Sequence, residues 1–158
     1  MTYTTDSAEW PSGYQVPAAV KALVDRLYSL LDSDASNVGD ILANEIFTSD
    51  GVAFFGGSPS RGTEGKSLRH ITFASRDKAW VAISSRKHTV QRVYMNSKDG
   101  DDLLFIANVE MGLRNGRRVE GPFAGRLVIS ESQSADPKLK LYQVWGDSGP
   151  LVKALQEK

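Results

Sequence analysis

Cysteine is absent and histidine scarce, with His70 and His88 the only two in 158 residues. The first absence excludes disulfide frameworks, thiolate zinc sites and cysteine nucleophiles. The second excludes a three-histidine metal site. Excess charge of either sign is also missing, because 19 Lys+Arg balance 19 Asp+Glu. Binding a phosphate backbone needs clustered surplus Lys and Arg, so nucleic acid is not an expected partner. No apolar run approaches the roughly 20 residues of a membrane helix. The polar start MTYTTDSAEWPSGYQ lacks the apolar segment of a signal peptide. The pair Gly56-Gly57 lacks the spacing of a phosphate-binding loop. No metal or organic cofactor is signalled, and the expectation is a soluble cytoplasmic protein with no membrane partner.

What remains is an ordinary globular balance, 41% hydrophobic and 24% charged. A chain of this length is read as one domain burying about 70% of its unfolded surface. Residues 1–16 read as a flexible N-terminal arm, with Trp10 and Tyr14 as candidate anchors. Residues 17–158 read as the single domain. Pro17 suits a first helical turn, and Val20, Leu23, Val24, Leu27, Leu30 and Leu31 repeat with helical spacing. A turn at Asp32-Ser33-Asp34 leads to a second helix over Val38–Phe47. A turn at Ser49-Asp50-Gly51 then delivers a short strand, Val52–Phe55. Residues 56–62 read as a loop, and a third helix spans Glu64 to about Ile83. Four long strands follow, over Arg86–Met95, Leu103–Leu113, Arg118–Ile129 and Leu139–Trp145. Asn115-Gly116 is the hairpin turn between the second and third of these. Gly149-Pro150 breaks the last, and Leu151–Gln156 forms a final helical turn. Helices gathered on one face of an antiparallel meander define an α+β fold. A strongly curved sheet of one short and four long strands, with three helices over its open face, makes a cone enclosing a cavity.

Several segments resemble the nuclear transport factor 2-like superfamily, more closely its SnoaL-like polyketide-cyclase branch and small fungal proteins of that type. They are Ile46–Val52 before the first strand, Ser60–Thr63 before the third helix and Arg86–Val90 opening the second strand. Tyr142-Gln143-Val144-Trp145 with Asp147 and Pro150 resembles the family's end. The likeness covers residues 18–156 and implies a fold more firmly than an activity. The ketosteroid isomerase pattern finds Ala53, Phe54 and Phe55 where its base should be and Gly125 where its acid should be. That mechanism is therefore not expected. The scytalone dehydratase pattern finds His88 on the second strand, His70 in the third helix and Tyr28 as a tyrosine counterpart, with no secure aspartate. For the Asp-Arg-Asp arrangement of limonene epoxide hydrolase, Arg92, Arg126, Asp147 and Glu110 are raw material without a register.

Strand alternation gives Leu103–Leu113 two faces. Leu103, Phe105, Ala107, Val109, Met111 and Leu113 make one apolar face suited to a core. The family alignment instead turns Asn108, Glu110 and Gly112 toward the cavity. The two readings reconcile if the apolar face is covered in a homodimer through the sheet, as the resemblance implies. His88 and Glu110 are then the candidate acid–base pair. Tyr28, Phe54, Trp80, Asn108, Phe123 and Trp145 are candidates for lining a hydrophobic small-molecule site. The expected function is cofactor-independent cyclisation, isomerisation or dehydration of a hydrophobic carbonyl compound. The alternative is a non-catalytic ligand-binding or dimeric scaffold protein of the same fold. Asp50 reads as turn chemistry, Arg61 and Arg76 as surface charge, and Arg114–Arg118 as a solvated hairpin turn.

Overall fold

The computed structural model describes residues 3–55, 58–60 and 80–156. Helix α1 spans Ala18–Leu31, opening directly after Pro17. Helix α2 is a single turn, Val38–Ile41, and a π-helical turn over Leu42–Ile46 continues it. Strands follow at β1 (Phe47–Phe55), β2 (Ser58–Ser60), β3 (Ile83–Met95), β4 (Asp102–Leu113), β5 (Arg118–Ser130) and β6 (Lys138–Gly146), and helix α3 (Gly149–Gln156) closes the described chain.

The strands form one curved, unclosed sheet in the order β2-β1-β6-β5-β4-β3. From β3 to β6 it is the expected antiparallel meander, while β1 joins β6 in parallel. Asn115-Gly116 makes the β4–β5 hairpin, with Gly116 at φ 85°, a region glycine enters without steric cost.

The expected second helix is shorter than read. Phe47 belongs to β1, where it pairs with Leu139, and the π turn ends at Ile46. The expected turn at Ser49-Asp50-Gly51 is an irregularity inside β1, because the register against β6 shifts between Phe47 and Val52. Gly51 sits there because a β-carbon would stand 3.0 Å from the carbonyls of Leu139 and Thr48. Ser58–Ser60 is a short strand on the edge of β1 rather than loop. The third helix falls almost wholly outside the described residues, and only residues 80–82 at its end are seen to be helical. His70, Arg61 and Arg76 also lie outside them.

Helix α1 buries Val20, Leu23, Val24, Leu27, Tyr28 and Leu31. These residues form one core with Leu103, Phe105 and Ala107 of β4, Leu127 and Ile129 of β5, and Leu139 and Tyr142 of β6. The side of the sheet facing α1 is called the inner face below. The N-terminal segment is fastened down over residues 3–9. Asp25 of α1 accepts the backbone N–H groups of Thr4 and Thr5 and the Thr5 hydroxyl. Glu9 makes a parallel bridge to Arg92 on the edge of β3. The Thr4 hydroxyl accepts from the Val90 N–H at 2.8 Å.

Candidate functional site

Residues paired across an antiparallel ladder share a face of the sheet. His88 pairs with Val109, and Val109 with Gly121. Arg86 pairs with Met111, and Met111 with Val119. All of these lie on the inner face, as do Phe123 and Val144. Helix α1 covers the other half of that face, so this end forms a half-buried apolar surface beside His88.

The polar group facing it is assembled from three segments. Asp32 caps the C-terminus of α1, and its side chain is 2% exposed. Oδ1 meets His88 Nδ1. Oδ2 accepts the His88 backbone N–H at 2.8 Å and the Tyr3 hydroxyl at 2.9 Å. Arg86 Nε lies 3.6 Å from Oδ1, and its Nη2 donates to the Leu31 carbonyl at the helix end. A carboxylate at a helix C-terminus opposes the helix dipole. Here three hydrogen-bond donors and a guanidinium offset that cost. Because Nδ1 faces a carboxylate, it carries the proton, leaving Nε2 as the exchangeable nitrogen. Among the described residues Nε2 has no hydrogen-bond partner.

Aromatic rings hold the imidazole. Its centroid lies 4.9 Å from Tyr28 and 5.5 Å from Phe123. Phe123 meets Phe105 edge-on at 6.0 Å. The Tyr28 and Tyr142 hydroxyls stand 3.5 Å apart beneath. Burial pushes the Tyr28 phenol well up and the Tyr142 phenol up to about 12, so both stay protonated donors at any ordinary pH. Trp80 closes one side, with the Arg86 guanidinium 4.9 Å from its ring centroid. Burial lowers the Arg86 pKa, with Asp32 acting against that.

Of the residues singled out from sequence, His88, Tyr28, Phe123 and Trp80 are brought to this inner-face region. Glu110 is not. It pairs with Lys87 and Glu120, one residue out of phase with His88, and so projects from the opposite face. Asn108 lies on that outer face too, donating to Glu120 at 2.6 Å. Trp145 pairs with Ala124, and Phe54 with Gln143, which places both on the outer face. The expected orientation of β4 is therefore corrected. Its apolar side packs on α1, because six alternating apolar side chains gain more from burial than Asn108 and Glu110 would. Gly125, aligned to a catalytic acid, has no side chain because the Phe105 ring occupies that space.

Asp32, Arg86, Tyr142 and Tyr3 complete the site without having been picked out. Asp32 read as a turn residue, yet it carried a signal. Asp25 and Asp32 flank the apolar stripe of α1 seven residues apart, and an acid at a helix C-terminus breaks a local rule, as functional positions do. Among the described residues no group of acidic and histidine side chains is arranged to hold a metal, and no helix is long and apolar enough to cross a membrane.

No protein-family model and no curated protein matches the chain. Solved structures do. A protein assigned as a SnoaL-like polyketide cyclase from Jannaschia sp. CCS1 is 12% identical, over 92% of this chain and 94% of that one, with TM-score 0.63. An NTF2-like protein of unknown function from Exiguobacterium sp. 255-15 is 14% identical, over 79% and 98%, with TM-score 0.60. PrhC from Penicillium brasilianum NBRC 6234 is 13% identical, over 88% and 87%, with TM-score 0.62. With its curved sheet, its helix across the inner face and these neighbours, the chain has the nuclear transport factor 2-like fold.

Proposed function

We propose that the protein is a cofactor-independent acid–base enzyme acting on a hydrophobic carbonyl compound, by isomerisation, dehydration or cyclisation. The observation that carries this reading is the Asp32–His88 pair, with Nδ1 on a buried carboxylate and Nε2, among the described residues, unpartnered beside apolar walls. His88 is the proton shuttle. Asp32 takes the supporting role first assigned to Glu110, holding the ring and its tautomer. Tyr28 and Tyr142 are neutral hydrogen-bond donors at the base of the site. Phe123 and Trp80 are its apolar lining.

The direct test is a thermal-shift screen against polyketide- and terpenoid-like ketones, phenols and epoxides, followed by turnover assays on the ligands found. Binding to the folded state alone raises Tm. The expected result is a ligand that wild-type protein converts and His88→Ala binds without converting. Normal turnover by His88→Ala ends the reading. A second reading, a non-catalytic binding protein of the same fold, is favoured by the outward position of Glu110. Ligand binding with no turnover by wild-type protein would select it. We further propose that the outer face supports a homodimer, since Leu104 and Ile106 on β4 and Trp145 on β6, either side of β5, are each more than 40% exposed there.

A further inference from the structure

Among the described residues two buried side-chain donors, Arg86 Nε and Trp80 Nε1, have no hydrogen-bond partner. They belong to side chains in direct cation–π contact. The 3.6 Å separation of Arg86 Nε from Asp32 is too long for a hydrogen bond. A buried donor left without an acceptor is destabilising, so two in contacting side chains call for one. Their position suggests what that acceptor does. Arg86 and His88 are two residues apart on one face of β3, a spacing of about 7 Å. A ketone lying along that face would direct its oxygen toward the donors and its α-carbon toward His88 Nε2.

We propose that Arg86 and Trp80 form an oxyanion-binding subsite, and that the ligand is a neutral ketone bound through its oxygen. The inference rests on His88 as the proton shuttle. Charge balance selects a neutral oxygen over a carboxylate. Asp32 and Arg86 cancel, and a carboxylate would leave the closed cluster with an unbalanced negative charge. A ketone enters neutral. His88 Nε2 then takes the α-proton, the C–H electron pair becomes the enolate double bond, and the carbonyl π pair moves onto oxygen. Imidazolium and enolate arise together and balance each other. Donors shielded from bulk water stabilise that developing charge most strongly.

Indole and guanidinium N–H groups are visible in proton–nitrogen NMR spectra, and the chain has only three tryptophans to assign. The probes are 2-naphthol, which mimics an aromatic enol, and naphthalene, the same skeleton without oxygen. The inference expects 2-naphthol to move the Trp80 Nε1–H and Arg86 Nε–H signals downfield. Naphthalene should move the carbon-bound ring proton signals of Phe123 and Trp80 without the downfield N–H shifts. Trp80→Phe keeps an aromatic ring under Arg86 but deletes one donor, and should weaken 2-naphthol binding about tenfold more than it weakens naphthalene binding. If 2-naphthol shifts His88 and Phe123 but neither N–H, the donors do not meet the ligand's oxygen. The subsite is then wrong while the His88 reading stands. If 2-naphthol perturbs none of the four residues, the reading and the subsite fail together.

Discussion

Asp32 ties the N-terminal segment, the end of α1 and strand β3 to one carboxylate. Removing one member of a buried charged pair leaves its partner uncompensated, a loss of about 3–5 kcal/mol. Asp32→Ala should lower stability by about that much in chemical denaturation, whereas Asp50→Ala, on a fully exposed group, should stay near wild type. Tyr142 sets a pH limit at the alkaline end. Its phenol is raised by burial to about 12 in the folded chain, against 10.0 for the ordinary group. A raised folded pKa stabilises below the unfolded value, and that stability is lost as pH climbs from about 10 to about 12. Denaturant melts between pH 8 and pH 12, values chosen to bracket a tyrosine near 10, should show a steep loss that Tyr142→Phe reduces. The same curve for both proteins would contradict burial of that hydroxyl. From sequence, the tyrosine spoke only as part of a terminal family-like segment, because nothing in a strand's own residues says what lies above it.

At the scale of elements, two local devices decide how closely the layers pack. Gly125 of β5 lets the Phe105 ring lie flat across the sheet, and any β-carbon there would overlap it. Overpacking a tight core costs about 1–3 kcal/mol. Gly125→Ala should therefore reduce Tm, while Gly121→Ala, with nothing within 4 Å, should change it little. Calorimetry on the two variants separates close approach from the general effect of losing a glycine. The second device is the N-terminal segment, which covers the β3 edge through Glu9 and holds α1 through Asp25. Deleting residues 3–9 should destabilise the fold and raise hydrogen exchange at Val90 and Val93, whose N–H groups it satisfies. This docking was illegible in sequence. The segment has no periodicity, and its partners lie on α1 and β3, far along the chain. The long strands and α1, in contrast, were bounded to within a few residues, because their apolar alternation and helical spacing are local signals.

For the molecule as a whole, the outer face poses the remaining question of assembly. Ile106, Ala124 and Trp145 line up across β4, β5 and β6, with Leu104 beside them. Polar groups flank this strip, including the Arg126–Asp102 pair at 2.8 Å and the Asn108–Glu120 bond. Such an apolar strip with a polar border suits a second copy of the chain. Light scattering should give a dimer mass for wild-type protein and a monomer mass for Ile106→Lys. A monomeric wild type would remove the dimer from the proposal. The change lies on the opposite face from His88, so ligand binding in the variant would separate assembly from the site.

Sequence by itself determined the order of α1 and the long strands, the meander, the α+β class and the apolar side of β4. Each follows from spacing along a short stretch of chain. It also marked His88, whose ring chemistry is intrinsic. Only the tertiary structure decided which partner His88 has. A single step of register separates Glu110 from the inner face, and α1 ends where it sets Asp32 against Nδ1. Alternation says that neighbouring strand residues face opposite ways, but which way is inward depends on what packs above. That choice is made by the burial of α1 over the apolar face, an interaction between segments far apart in the chain.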